Sequence, residues 1–110
     1  MLLKNQYSFE YRFSESQRLL VKYPYRVPII CESNNKILDK NKYLVPTDLT
    51  LGQFQYVIRR RMRLPQEKAL FLFINGNIFN SSQLISSLYD QEKDEDGFLY
   101  INYSFENTFG

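Results

Sequence analysis

A single α+β domain with a mixed sheet is the predicted fold class, and three observations predict it. The chain has 110 residues, enough to bury one core without metals or disulfides. Apolar residues make up 44% and aromatic residues 16%, well above what a disordered chain carries. Strand-like stretches alternate with stretches of helical period, and no repeat, linker or low-complexity segment interrupts them.

Taken in order, each element has its own local cause. Ser8 is placed to cap a helix carrying Phe9, Phe13 and Leu20 along one side, with Glu10 in the first turn and Arg18 and Lys22 toward the end, as the helix dipole favours. Tyr23-Pro24 stops it. In "RVPIICE", Val27, Ile29 and Cys31 alternate with Pro28 and Ile30, which predicts a strand apolar on both faces and therefore covered twice. "NKYLVP" reads as a second, short strand, reached through the polar "SNNKILDK".

Thr50 and Gln53 form a T-x-x-Q capping box for the next helix, and Leu49 and Phe54 are spaced as a hydrophobic staple. Leu51, Phe54, Val57, Ile58 and Met62 make its buried stripe, and Leu64-Pro65 ends it. "ALFLFI" is a strand closed by a tight turn at Asn75-Gly76, "SQLISSLYD" a short helix through Leu84, Ile85 and Leu88, and "FLYINY" a last apolar strand expected at the centre of the sheet. Two strands, a helix, a strand, a short helix and a last strand is the order of a ubiquitin-like β-grasp. Here a helix precedes it.

Composition removes much chemistry. There is no histidine, so Ser-His-Asp and Cys-His pairs and most zinc sites are excluded, and an enzyme is not expected. The only cysteine, Cys31, permits no internal disulfide and reads as a small core residue, in keeping with a reducing compartment. No apolar stretch is long enough to span a bilayer and "MLLKNQYS" lacks a signal peptide's apolar region, so a soluble, intracellular chain is expected. Charge is uneven: residues 1–68 hold 13 Lys+Arg against 6 Asp+Glu, residues 69–110 hold 1 against 6, so an acidic partner is expected at the first part.

Two motifs fail on inspection. "EKDEDG" places Glu92, Asp94 and Asp96 at the first, third and fifth positions of a calcium loop and Gly97 at its sixth, the turn glycine, but Tyr103 stands at the twelfth, so a solvated turn is expected and no metal site. "RRRMR", Arg59 to Arg63, could track phosphates; spread around a helix, it reads instead as a solvated or ion-paired surface, with no nucleic-acid partner. One stretch has no role within a packed domain. "SFENTFG" follows the last strand with no helical period and ends on Phe109 and Gly110, a residue that packs nothing.

The stretches "KYPYRVPIICE", "DKNKYLVPTDLTLGQFQYVIRRRMRL", "ALFLFING" and "DGFLYINYSFENTFG" closely resemble the autophagy ubiquitin-like modifiers of the GABARAP and light-chain-three type, in order from about Phe9 to Gly110. The resemblance implies a single domain comprising an N-terminal helical subdomain (1–23), a β-grasp core (24–103) and a flexible conjugation tail (104–110). It further implies a non-enzymatic modifier conjugated through Gly110 to phosphatidylethanolamine, with Phe109 held by the conjugating machinery and no cofactor besides the covalent lipid. Seven residues after Tyr103 would carry the carboxylate about 20 Å from the folded body, and two acyl chains anchor stably where one holds marginally.

The implied partners are the activating and conjugating enzymes of the cascade, a processing and delipidating cysteine protease, and cargo receptors or adaptors bearing W/F/Y-x-x-L/I/V motifs. The protein would be monomeric and cytoplasmic when soluble, and attached to autophagosomes once lipidated. Motif peptides bind by strand addition, with residues three apart pointing to opposite sides of the edge. The resemblance places the aromatic pocket at Glu15, Leu19, Pro28, Ile30, Lys42, Leu44 and Phe98. It places the second pocket at Tyr43, Val45, Pro46, Leu49, Phe54 and Val57. Arg26, Lys40 and Lys42 would meet acidic residues flanking the motif. The chain departs from the family in a shorter Ser33–Asn41 segment, a trimmed N-terminus, Tyr25 in place of a polar residue and Phe105 where small or acidic residues are usual. The alternative is a ubiquitin-like adaptor that binds such motifs without being conjugated.

Overall fold

Ser8 and Thr50 start the two longest helices, each by the side-chain cap its position predicts. The computed structural model describes residues 3–33 and 37–107. A short helix α1 (Leu3–Gln6) precedes α2 (Phe9–Lys22), where the Ser8 hydroxyl accepts the Tyr11 N–H at 3.1 Å. In α3 (Leu51–Met62) both arms of the Thr50–Gln53 capping box are formed. Its end falls at Arg63, which takes the left-handed conformation with φ 56° just ahead of Leu64-Pro65.

The strands are β1 (Arg26–Glu32), β2 (Lys42–Pro46), β3 (Phe71–Phe73) and β4 (Leu99–Ser104), with α4 (Ile85–Glu92) before the last. They form one sheet in the order β2-β1-β4-β3. β1 runs antiparallel to β2 and parallel to β4, and β3 is antiparallel to β4. The apolar "FLYINY" strand is therefore central, as expected. At Asn75-Gly76 both residues have positive φ, and Ile74 and Asn77 pair across the turn.

β1 is covered twice. Val27, Ile29 and Cys31 join the main core with Phe54, Ile58, Ile85, Leu88 and Ile101 on the α3 and α4 side. Ile30 joins a second, smaller core with Leu3, Leu19 and Phe98 beneath the N-terminal helices.

Several expected buried positions are corrected. Phe9 and Phe13 are each 43% exposed, and the inward line of α2 runs through Arg12, Ser16 and Leu19. These three are spaced four and three residues apart, a helical stripe that apolar periodicity misses because two members are polar. Val57 is 45% exposed on α3, and Leu84 precedes α4 as an exposed cap.

The "EKDEDG" turn is corrected as well. Asp96 is fully buried, and its carboxylate accepts Arg12 Nη1 at 2.6 Å, the Phe98 N–H at 2.9 Å and the Tyr100 hydroxyl. The Ser16 hydroxyl donates to the Asp96 carbonyl, and Tyr89 to that of Gly97. Gly97 has φ +88°, and a Cβ there would run into Ser16 Oγ. Gly97→Ala is therefore expected to cost about 2–4 kcal/mol, combining left-handed strain with a clash against a hydroxyl fixed by hydrogen bonds. Urea unfolding measures it; a loss under about 1 kcal/mol would mean that α2 yields freely at this contact.

Candidate functional site

Within the described residues β2 is the outermost strand on its side of the sheet. Asn41 C=O accepts the Cys31 N–H, and the Thr47 N–H donates to Tyr25 C=O. By the alternation of an antiparallel ladder, Tyr43 and Val45 exchange bonds with β1, while Lys42 and Leu44 turn their N–H and C=O groups to the open side. The Leu44 carbonyl there accepts Arg26 Nη1 at 3.0 Å.

On one face of this edge, Pro28 stands opposite Leu44 and Ile30 opposite Lys42. Pro28, Ile30, Leu19 and Phe98 are buried and form a floor, over which Leu44, Lys42 and Glu15 reach the surface half-buried. The Glu15 carboxylate accepts Arg18 Nη2 at 2.6 Å and Nε at 3.1 Å, with Lys42 Nζ at 3.5 Å. Hydrogen bonding from Arg18, with the Lys42 charge, outweighs burial and holds the Glu15 pKa below the usual carboxylate value. A cleft of ≈ 160 Å³ opens here, lined by Glu15, Lys42 and Phe98 together with Leu3, Gln6, Tyr7, Tyr11, Arg12 and Asn41. A shallower trough of ≈ 690 Å³ continues from Asn41 and Lys42 along the edge past Lys40, Asp39, Leu44 and Arg26.

On the opposite face, Tyr43, Val45 and Phe54 belong to the main core, with the Tyr43 and Phe54 rings edge to face at 5.8 Å. Burial pushes the Tyr43 phenol up to about 12, so it stays neutral. Leu49 is half-buried and Val57 exposed, so these two present apolar surface beyond the strand. Pro46 is half-buried at the end of β2, in alternation with Lys42 and Leu44 and not with Tyr43 and Val45. Lys40 lies over the Tyr43 ring at 5.3 Å.

The structure thus gathers the aromatic-pocket residues on one side of β2 and most of the second set on the other. Sequence reasoning missed Tyr7, Tyr11 and Arg12 at the first cleft. The four-residue spacing of Tyr11 and Glu15 on α2 is a signal that would have placed those two on one line; Tyr7 precedes the Ser8 cap and carries no such signal.

Elsewhere, Arg59 Nη2 donates to the Pro65 carbonyl, Arg61 pairs with Asp39 at 3.0 Å and Arg60 lies over Tyr56, so these three arginines of "RRRMR" engage groups of the domain itself. Burial pushes the Cys31 thiol pKa up, as befits a core residue. No helix among the described residues is long and apolar enough to cross a membrane. β4 extends through Ser104, and Phe105 packs against Tyr103 at 6.4 Å with Lys68 over its ring, so the folded part reaches further than the expected boundary at Tyr103. Phe109 and Gly110 lie outside the described residues.

A mixed four-stranded sheet on a central helix, fronted by two N-terminal helices, defines the ubiquitin-like class. The family model described as autophagy protein Atg8 ubiquitin like matches residues 11–110, and the chain belongs to that family. Autophagy-related protein 8 of Schizosaccharomyces pombe is 55% identical over 97% of this chain and 92% of its own length. That of Kluyveromyces lactis is 53% identical over 97% and 90%. Among solved structures, Trypanosoma brucei ATG8 aligns with a TM-score of 0.89 at 45% identity, covering 100% of this chain and 98% of that one. Plasmodium falciparum Atg8, in complex with a Plasmodium falciparum Atg3 peptide, aligns at 0.90 with 33% identity, each chain 99% covered. The resemblance read from the sequence is borne out: this is an autophagy ubiquitin-like protein.

Proposed function

We propose that this chain is a modifier and not an enzyme. In this reading its Gly110 carboxyl is joined to the amine of phosphatidylethanolamine, and its β2 edge docks W/F/Y-x-x-L/I/V peptides of receptors and adaptors at autophagosomes. The observation that carries the docking half is the open edge of β2, flanked by an aromatic cleft on one face and by Leu49 and Val57 on the other. A peptide complex of a relative with the same fold supports it.

An added strand would bond to the N–H and C=O groups of Lys42 and Leu44, and its residues three apart would fall on opposite faces. Arg26 must first leave the Leu44 carbonyl. Acidic residues beside the motif supply the incentive, since Arg26, Lys40 and Lys42 border the trough. For conjugation, the carboxylate would attack ATP to give an acyl adenylate with release of pyrophosphate, an enzyme thiolate would displace AMP to form a thioester, and thiol exchange would pass it to the next enzyme cysteine. The lipid amine then forms the C–N bond as the C–S bond breaks, and the amine's proton balances the departing thiolate. The lipid is the only group the chain would carry, and a cysteine protease would reverse the step.

Incubation with the family's activating and conjugating enzymes, ATP and phosphatidylethanolamine liposomes, followed by mass measurement, tests the conjugation half. Peptide titration tests docking. Leu44→Ala is expected to weaken an acidic-flanked W-x-x-L peptide by about 1–3 kcal/mol, since Leu44 packs over the buried floor of Ile30, Leu19 and Phe98 and lines the trough along the open β2 edge. Lys40→Ala should matter less, and mainly at low salt. Unchanged affinity in a folded Leu44 variant would remove the β2 edge as the dock.

A further inference from the structure

We propose that Phe105 is a positioning residue of the tail: its ring fastens the tail root to the domain, and an enzyme that takes the Gly110 carboxyl must first lift it. This rests on the conjugation reading above and adds to it a step that the domain itself controls.

The strand before it builds the root. Leu99, Ile101 and Tyr103 of β4 are buried in the main core, and Phe105, two residues on, continues that alternation past the end of the strand. Its half-buried ring packs on the same core and meets Tyr103 edge to face, 6.4 Å between centroids and 61° between planes. Lys68 Nζ stands over the ring at 5.6 Å, from a turn closed by the Lys68 N–H on the Pro65 carbonyl. The seat is firm, because the buried Tyr103 phenol accepts the N–H groups of Ile37 at 3.1 Å and Leu38 at 3.3 Å. On the main chain, Ser104 is paired opposite Phe71, and its hydroxyl accepts the Glu106 N–H at 3.1 Å, which bends the chain directly behind the ring. Phe105 is also one of this chain's departures from the family, at a position where small or acidic residues are usual.

Fastening the ring has two consequences for capture. Glu106 and Asn107 are exposed beyond it, so the free tail starts two residues later and its reach is shorter by about 7 Å. The aromatic pair and the cation over the ring together favour the closed root over the lifted one by about tenfold. A cleft that accepts only an extended tail binds the lifted fraction, so its apparent affinity is reduced by that same factor. The chemistry that follows is untouched, because the ring has left its seat before the carboxyl reacts.

Two measurements on the full chain test this, with wild type, Phe105→Ala, Phe105→Tyr and Lys68→Gln each checked by thermal melt. A protease that cuts after glutamate reads the root directly at Glu106, which every variant keeps, with rates set against free peptides of residues 101–110 carrying the same substitution. Cleavage follows the lifted population when lifting is fast, so Phe105→Ala should be cut about tenfold faster, Lys68→Gln about threefold faster and Phe105→Tyr at the wild-type rate. Thioester formation with the family's activating enzyme and ATP then reads the role: Phe105→Ala should lower KM by about the factor seen in cleavage and leave kcat unchanged. Unchanged cleavage in a folded Phe105→Ala variant overturns the proposal, since the ring would not hold the root. Faster cleavage with KM unchanged or raised overturns it as well, because the enzyme would then take the tail without lifting the ring, or would grip the ring itself. A wild type that forms no thioester, while cleavage still responds to the ring, removes the conjugation reading and with it this role for Phe105.

Discussion

Arg12→Ala is expected to destabilise the fold by about 3–5 kcal/mol, because it leaves a fully buried carboxylate without its cation. The Arg12 side chain is itself only 11% exposed. Burial works against its cation, and the hydrogen bonds to Asp96 and Tyr100 more than offset that, raising its pKa above the usual value. Removing the guanidinium also frees the Tyr7 carbonyl and loosens the seat of α2. Asp96→Ala should cost a similar amount by a different route, since the Phe98 N–H, the Tyr100 hydroxyl and Arg12 all lose their acceptor. Urea unfolding of both variants and the double variant measures the coupling. Single losses below about 1 kcal/mol would show that water reaches the carboxylate and that the pair is not a buried one.

This pair ties stability to the dock. Glu15 and Leu19 reach the aromatic side from α2, the helix that Arg12 fastens to the β4 entry. Weakened variants that still fold should therefore lose peptide affinity at the aromatic cleft more than at the Leu49 and Val57 side.

The sequence was most legible where a local rule sufficed. The Thr50–Gln53 box, the Asn75-Gly76 turn and the two-faced β1 each depend on neighbours within a few residues, and each is found as read. What escaped depended on contacts 80 or more residues apart. Asp96 looked like one more solvated acid in "EKDEDG", and only the arrival of Arg12 and Ser16 across the fold makes it a buried anchor. The same arrival explains α2, whose aromatics Phe9 and Phe13 suggested the inward face while the polar Arg12–Ser16 line took it. The residues named from the family's pattern for the aromatic side came together on α2, β1 and β2 and at the entry to β4, whereas Tyr7 and Tyr11 line the same cleft only because α1 and α2 fold over it.

Deleting Gly110 is expected to abolish transfer to phosphatidylethanolamine while leaving the melting temperature and motif-peptide affinity unchanged. In the conjugation reading the reacting carboxyl passes through narrow enzyme clefts at each acyl step, where a residue without a β-carbon fits best, and deletion would present the bulky Phe109 in its place. Gly110→Ala should slow transfer through the added methyl, and Phe109→Ala should slow it by weakening the enzymes' grip. Stability should hardly move, because β4 ends at Ser104 and Phe105 already sits against Tyr103 ahead of these positions. The dock should be untouched, because Lys42 and Leu44 form its edge on the far side of β1 from β4. A reconstituted conjugation reaction beside a thermal melt and a peptide titration of each variant separates these effects. Wild-type rates of transfer from the Gly110 deletion would end the conjugation reading and leave a ubiquitin-like adaptor that works through the β2 edge alone.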